Sequence, residues 1–181
     1  MDTLGPVRVL HVVKGLGPGG AERLLVSMAA VADPAAVHHE VAYVLDWKQH
    51  LVPELEALGA RTHLLAGARG MADPGWPRRL RALARGVDVV HLHSPAVAAV
   101  ARPAIRTLRG RPVVVSTEHN VWGSHGLLTR VGNALTLPLD AVRWAVSAEV
   151  VASAWRPWRA KTEVLVHGIP VGALQSRRAE R

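Results

Sequence analysis

Short apolar runs alternate along the chain with segments in which apolar residues recur every three or four positions. Continuously apolar runs of this length are typical of strands that are buried on both faces of a parallel sheet. They predict strands near residues 7–13, 39–45, 60–65, 88–92, 112–117, 142–146 and 163–167. The three-to-four spacing predicts helices between them, near residues 20–32, 51–58, 76–85, 95–109, 125–136 and 148–155.

Strands that alternate with helices at this spacing predict a doubly wound α/β fold with a mostly parallel, Rossmann-like sheet. Right-handed crossovers would bring the carboxyl ends of the strands, and the loops that follow them, to one edge of the sheet. Ligands of open α/β sheets bind at that edge. The residues directly after each strand are therefore the first candidates for a functional site.

A glycine-rich loop follows the first strand and leads into the first helix. Its sequence, KGLGPGG over residues 14–20, contains four glycines. Glycine lets a backbone approach a ligand closely, and the helix behind the loop offers free N–H groups and the positive end of its dipole. The loop therefore predicts binding of an anion or a polar sugar at the carboxyl end of the first strand.

The same loop permits a different interpretation, because Gly15, Gly17 and Gly20 fit the G-x-G-x-x-G spacing of dinucleotide-binding loops. In such proteins an acidic residue ends the second strand, and Asp46 stands there. An NAD-binding oxidoreductase domain is therefore one alternative. A non-catalytic binding partner that kept the fold is another.

Polar side chains follow two further strands at the predicted edge. His93 and Ser94 come after the fourth strand, and Glu118, His119 and Asn120 come after the fifth. His119 is the first choice among them, because an imidazole can donate or accept a hydrogen bond near neutral pH and so suits a sugar hydroxyl or a proton relay.

The remaining histidines give a weaker signal. His11 and His91 fall in the middle of predicted strands, where hydrogen-bonded core histidines are expected. His91 and His93 could both contact a metal ion, but the sequence shows no third ligand at a convincing spacing. The chain has no cysteine, which excludes disulfides and cysteine-ligated metals. We therefore expect no metal site and no cofactor.

Composition excludes some classes of protein but does not indicate a function. Hydrophobic residues make up 49% and charged residues 20%, and no run reaches the roughly 18 apolar residues of a membrane span. No signal-peptide pattern is present, so we expect a cytoplasmic protein. The net charge of +8 suits attraction to phosphates or to an anionic membrane surface, although it also fits simple arginine richness.

Two details bear on partners of this basic chain. Arg156 and Arg159 lie beside Trp155 and Trp158, and such a mixture suits peripheral contact at the inner face of the membrane. It suits ordinary packing of arginine stems over a core equally well. No nucleic-acid-binding motif is present, so we expect no nucleic-acid partner.

Four segments, taken together, resemble the N-terminal, acceptor-side domain of GT-B fold glycosyltransferases of the GT4 family. They are VLHVVKGLGPGGAERLLVSMA at 9–29, DVVHLHSP at 88–95, STEHNVW at 116–122 and AVSAEVVASA at 145–154. The resemblance implies a retaining transferase that moves a hexose from a nucleoside diphosphate sugar to a hydroxyl acceptor, which could be lipid-linked.

The resemblance also implies roles for individual residues. His119 would be the catalytic-site residue that contacts the transferred sugar, and the glycine loop would approach the donor diphosphate and the acceptor. The residues that we assign to substrate binding are Gly17, Gly19, Gly20, His93, Ser94, Glu118 and Asn120.

In this family a C-terminal domain holds the nucleotide sugar, and the resemblance here covers residues 1–170, with a polar tail or linker at 171–181. The family's P-N-G-x-D segment between the domains reads VHGIP here, so that His167 and Pro170 stand at its Asn and Asp positions. We expect a truncated product, an isolated domain or one half of a split enzyme with a separate C-terminal-half partner. Such a chain would fold but would not turn over alone.

Overall fold

A computed structural model describes residues 5–168 of the chain. Within them, a seven-stranded sheet consists of β1 Val7–Val13, β2 Val37–Tyr43, β3 Arg61–Leu64, β4 Val89–Leu92, β5 Val113–Glu118, β6 Val142–Ala145 and β7 Glu163–Val164. Their order is β3-β2-β1-β4-β5-β6-β7, and every neighbouring pair is parallel. The predicted Rossmann-like α/β fold is confirmed. The strand order reverses between β1 and β4, which makes that pair the switch point of the sheet.

The helices that connect the strands are α1 Gly20–Val31, α2 Val52–Ala57, α3 Trp76–Ala84, α4 Pro95–Arg106, α5 Leu127–Thr136, α6 Ala148–Ser153 and α7 Arg156–Arg159. Three short 3-10 turns lie at Gly70–Ala72, Trp122–Ser124 and Leu137–Leu139. The turns and α7 were not predicted, because one turn of helix is too short to show a period. In the described part of the chain, no helix is both long and apolar enough to cross a membrane.

The predicted β2 is displaced by two residues from the observed strand, which pairs with β1 from Val37 onward. The polar pair His38-His39 disguised the start of the strand. At the other end, the N–H groups of Val44 and Leu45 both donate to the carbonyl of Lys14 instead of continuing the ladder. The strand therefore ends where the glycine loop begins to take its hydrogen bonds.

Alternate residues of each strand point to opposite faces of the sheet, and the two faces differ in their cover. On one face, Leu10, Val90 and Val114 pack against Leu80 of α3 and Ile105 of α4. We call it the α3–α5 face, since α5 packs beside α4.

The other face, which we call the α1–α2 face, carries a smaller apolar cluster that joins Val13 and Val41 of the sheet to Leu25 of α1 and Leu55 of α2. Next to α1 this face borders a largely apolar cavity of about 620 Å³. We call it the sheet-face cavity. Its floor includes Val89, Val115 and Trp144, together with histidine side chains that are described below.

Candidate functional site

A second cavity, of about 700 Å³, opens at the carboxyl edge of the sheet. The loops after β1, β2, β4 and β5 contribute its lining, so that it lies beside the switch point. We call it the rim cavity. Six of the eight predicted site residues line it, namely Gly19, Gly20, His93, Ser94, His119 and Asn120.

Gly17 and Glu118 are the predicted site residues that do not line the rim cavity. Glu118 precedes His119 on an extended segment and therefore points to the opposite face. There its side chain is buried, and its Oε1 accepts a hydrogen bond from Nδ2 of Asn133 on α5 at 2.7 Å. Burial raises the pKa of this carboxyl above its usual value. Its position gives Glu118 a partner in the core rather than in the cavity.

Three helices begin at the rim cavity. The residues directly before α1, α4 and α5 are Gly19, Ser94 and Gly126, and all three line the cavity. Within residues 5–168, no side chain caps the first turn of any of these helices. The first N–H groups of α1 and α5 are therefore open to a ligand, whereas α4 begins with Pro95 and offers only the N–H groups that follow it. Each helix start carries roughly half a positive charge. Lys14 and Lys48 on the same lining add two positive charges, and Glu22 in the first turn of α1 adds one negative charge beside Gly19.

Lys48 reaches the cavity because the glycine loop holds the loop after β2. The N–H of Leu16 donates to the carbonyl of Lys48 at 2.6 Å, and the N–H of Leu51 donates to the carbonyl of Leu16 at 3.0 Å. A Cβ at Gly15 would lie 2.7 Å from the Cβ of Lys48, a distance that side chains do not tolerate. Glycine at this position therefore permits the approach of the two loops.

Ser94 ties the loops after β1 and β4 together. Its Oγ accepts a hydrogen bond from the backbone N–H of Lys14 at 3.0 Å. Ser94 thus positions the start of the glycine loop instead of capping α4.

His125 lines the rim cavity and was missed from the sequence. Its Nε2 is buried and has no hydrogen-bond partner among the residues described. Burial, and then the charges of Arg130 and Lys14, lower the pKa of His125. It lies in the irregular segment between β5 and α5, where no periodic signal could have singled it out.

A row of four histidines crosses the α1–α2 face and ends at the rim cavity. Hydrogen bonds join Nδ1 of His39 to Nε2 of His11 at 2.9 Å, and Nδ1 of His11 to Nε2 of His93 at 3.0 Å. A third joins Nδ1 of His93 to Nε2 of His119 at 3.1 Å. We call His39, His11, His93 and His119 the histidine row.

Burial keeps the rings of the row neutral. Loss of hydration, and then repulsion from neighbouring rings, lowers the pKa values of His11 and His93 well below the usual value. Burial and the nearby ring of His167 lower the pKa of His119 to about 4. Burial also lowers the pKa of His39. At neutral pH each ring therefore carries one N–H donor and one lone-pair acceptor.

His91 stands beside the row, with its ring centroid 4.0 Å from that of His93 and its Nε2 2.7 Å from Oγ1 of Thr117. Ring nitrogens of His11, His91 and His93 lie within 4.8 Å of one another, close enough for one metal ion to contact all three. The sequence analysis missed this grouping, because His11 meets His91 only through the β1–β4 pairing. In the described state, His11 and His93 direct their facing nitrogens at each other.

The arginine–tryptophan segment combines packing contacts with exposure, because Trp155, Arg156 and Arg159 are all exposed. Trp158 packs against the buried cluster that contains Trp122, and the ring centroids of Trp155 and Trp122 lie 5.5 Å apart. Nε of Arg159 donates to the carbonyl of Ala154 at 2.7 Å.

Comparison with known proteins gives a family and a fold. Residues 18–170 match the family model described as Glycosyltransferase Family 4. Crystal structures of Anabaena HepE in complex with UDP and with UDP-glucose superimpose on the chain with a TM-score of 0.70 at 16% sequence identity. The matches cover 92% and 91% of this chain and 45% of each HepE chain. No curated protein matches the sequence. The chain therefore spans less than half the length of these solved structures.

Proposed function

Since the chain belongs to glycosyltransferase family 4, we propose that it forms the acceptor side of a retaining enzyme that transfers a hexose from a nucleoside diphosphate sugar to a hydroxyl. The observation that carries this proposal is the convergence of three open helix starts and two lysines on one cavity beside His119. Such a cavity suits a ligand that combines phosphate charge with sugar hydroxyls.

The diphosphate lies at the start of α1, beside the backbone of Gly19 and Gly20. The carboxylate of Glu22, which lies over Gly19, turns away to admit it. When the bond from the anomeric carbon to the diphosphate breaks, negative charge grows on the leaving oxygen. Fixed backbone N–H groups stabilise that charge without having to reorganise, and the ammonium groups of the exposed Lys14 and Lys48 add positive charge beside it. This potential is the contribution of the glycine loop to the reaction.

His119 contacts the transferred sugar as a neutral imidazole. Its Nε2 is engaged with His93, so Nδ1 is the nitrogen left for a sugar hydroxyl. Asn120, exposed at the same edge, adds an amide that can both donate and accept. A low pKa suits this role, because the free Nδ1 of a neutral ring meets a hydroxyl either as an N–H donor or as a lone-pair acceptor, depending on the tautomer.

One side of α5 favours an acceptor with an apolar portion. Leu127, Leu128 and Leu135 are 64%, 87% and 76% exposed, and Val131 lies among them on the same side. The helix begins at the rim cavity, so an apolar chain attached to the acceptor hydroxyl could continue along this stripe. We therefore propose a lipid-linked acceptor and peripheral contact of α5 with the membrane surface that carries it.

Vesicle binding tests the α5 stripe directly. Leu128→Glu should reduce co-sedimentation with phosphatidylglycerol vesicles at least several-fold, whereas Leu58→Glu, at a 41% exposed leucine after α2, should not. Equal loss in both variants would point to charge alone, and no loss in either would remove the lipid-linked acceptor from the proposal.

Turnover, in this proposal, requires a second domain that closes over the reactants and holds the nucleotide sugar. The support is that the chain aligns with 45% of each HepE chain, so the larger part of those proteins lies outside the match. A half-cleft leaves the reactants in water and loses most of the gain from fixed positioning. Robust sugar transfer by this chain alone would contradict the requirement.

Ligand titration with UDP, UDP-glucose, GDP and NAD(H) tests the function itself. We expect weak binding of a nucleoside diphosphate and none of NAD(H). Lys48→Ala should weaken diphosphate binding several-fold, while Lys161→Ala, at an exposed lysine away from the rim, leaves it unchanged. Micromolar NAD(H) binding would favour the oxidoreductase alternative instead. Asp46, the residue on which that alternative depends, does not line the rim cavity.

A further inference from the structure

The histidine row joins two cavities that lie on different parts of the sheet. His39 and His11 line the sheet-face cavity, and His93 and His119 line the rim cavity. The row therefore passes from an apolar cavity under α1 to the polar cavity at the carboxyl edge. Three consecutive imidazole–imidazole hydrogen bonds make the connection.

All three hydrogen bonds connect the same kinds of atom in the same order. Each link runs from Nδ1 of one ring to Nε2 of the next: His39 to His11, His11 to His93, and His93 to His119. A neutral imidazole has one proton, so one of its nitrogens donates and the other accepts. If Nδ1 of His11 donates to His93, its Nε2 must accept from His39. The same reasoning applies to every following ring.

Only two arrangements of protons therefore satisfy the whole row. Either all four rings carry their proton on Nδ1, or all four carry it on Nε2. Any mixture places two lone pairs, or two N–H groups, face to face at about 3 Å in the buried part of the row, and this forfeits a hydrogen bond between desolvated groups.

We propose that the histidine row is a two-state hydrogen-bonding unit, in which His119 at the rim cavity and His39 at the sheet-face cavity always carry the same tautomer. In the Nδ1–H state, the free nitrogen of His119 donates and that of His39 accepts. In the Nε2–H state, both roles are reversed. What His119 can offer a ligand is thus coupled to a ring on β2.

Charge around the row supports this behaviour. An imidazolium would donate from both nitrogens, so the four rings could no longer carry one common tautomer. The row is desolvated, however, with His11 and His93 only 2% and 4% exposed. The titratable groups that act on it are His91 and His167, which face it, and His38, which precedes His39 on β2. All three can add only positive charge. A proton on the row is therefore disfavoured by burial and by its neighbours.

Conversion between the states needs both cavities. To pass from the Nδ1–H to the Nε2–H state, Nε2 of His39 takes one proton from water, and each Nδ1 proton moves across its hydrogen bond to the next ring. Nδ1 of His119 then releases one proton to water. The numbers of atoms and charges balance, and a ligand that accepts from His119 holds the row in the Nδ1–H state.

Long-range proton–nitrogen correlation spectra of the chain, labelled with ¹⁵N-histidine and freed of metal with a chelator, test the proposal. Such spectra distinguish Nδ1–H, Nε2–H and imidazolium rings. At pH 7 we expect one common tautomer in the four rings of the row, and rapidly averaged signals from the exposed His38 and His50. Opposite tautomers in any two members, or an imidazolium in one, would overturn the proposal.

Variants at the far end of the row test the coupling. Lysine in His39→Lys can only donate to Nε2 of His11, and the thioether in His39→Met can only accept from it. We expect His119 to carry Nδ1–H in the first and Nε2–H in the second. His38→Lys adds the same charge at the adjacent exposed residue and should leave His119 as in the wild type. The same tautomer of His119 in both His39 variants would overturn the coupling.

His39 is half-buried at the end of the row, so its replacement leaves the core intact. None of these spectra requires a ligand. Failure of UDP to bind would therefore count against the proposed function and would leave the result on the histidine row unaffected.

Discussion

On the α3–α5 face of the sheet, Nε of Arg102 donates to Oδ1 of Asp140 at 2.7 Å, between two side chains with no exposed surface. On the α1–α2 face, the same sheet buries His11 against His93 at 3.0 Å. Both faces thus place polar groups out of water, one as paired charges and the other as neutral rings.

The charged side is a network of directed hydrogen bonds in which two buried atoms, Nη2 of Arg102 and Oε2 of Glu118, have no partner among the described residues. Nη1 of Arg102 donates to Oδ1 of Asn133 at 2.6 Å, and Oγ of Ser116 donates to Oδ2 of Asp140 at 2.7 Å. Asn133 in turn donates to Glu118. The donors and acceptors of these hydrogen bonds are fixed by the residue types, so the network ties α4, α5 and β5 together in one arrangement.

The histidine row has two equivalent arrangements and opens into a cavity at each end. The difference shows how a sheet can separate two tasks. The Arg102–Asp140 pair on the α3–α5 face holds β5 through Ser116. The neutral row on the α1–α2 face leaves the residue after β5, His119, able to change its hydrogen-bonding role.

Removing the positive charge of Arg102 should have the largest effect on stability. Arg102→Met leaves Asp140 buried without its counter-charge and should reduce the free energy of unfolding by about 3–5 kcal/mol. Urea denaturation measures this loss. Arg106→Met, one turn later on α4 at an exposed position, is the matched control and should change stability by less than about 0.5 kcal/mol. Similar losses in both would mean that the buried pair does not distinguish the two faces.

Lowering the pH should reduce the stability of the protein through the buried histidines of the α1–α2 face. The rings of the row have pKa values below those of the unfolded chain, so between about pH 6.5 and 4 the unfolded state binds more protons. Stability therefore falls as the pH is lowered through this window, by up to about 1.4 kcal/mol per pH unit for each ring that stays neutral. Glu118 acts in the opposite sense, because a raised carboxyl pKa favours the folded state on acidification.

Urea denaturation at a series of pH values shows whether stability falls or rises on acidification. His11→Phe should flatten the slope between pH 6.5 and 4, whereas His50→Phe, at an exposed ring, should not. A wild-type stability that is constant or rises over this window would show that the row is not held neutral by burial.

The sequence predicted the elements well, since strand and helix periods are local properties of the chain. It also predicted most of the rim, because the residues after a parallel strand lie at its carboxyl edge regardless of detail. Glu118 was misplaced relative to the cavity, because one residue along a strand reverses the face. Lys48 reaches the rim through Gly15, and His11 meets His91 through strand pairing, and neither contact leaves a trace in local spacing.

A substitution of His119 at the rim cavity should change turnover at least tenfold. In an enzyme reconstituted with a second domain, His119→Ala should lower turnover at least tenfold, which corresponds to about 1.4 kcal/mol of barrier. His50→Ala, at an exposed histidine that does not line the rim cavity, is the control. Turnover near the wild-type rate in His119→Ala would remove His119 from the site.

The smallest expected effect separates Glu118, which is bonded in the core, from Asn120, which lines the rim cavity. Glu118→Gln keeps an oxygen that can accept from Asn133 and replaces the unpartnered Oε2 with an NH2 group that does not titrate. We expect a change in stability of less than about 1 kcal/mol at pH 7 and unchanged binding of UDP. Asn120→Ala, at the rim, should weaken UDP binding measurably with little change in stability. If Glu118→Gln weakened UDP binding as much as Asn120→Ala, the two faces would share the site, because a carboxyl bonded to α5 could reach the ligand only through a shift of β5.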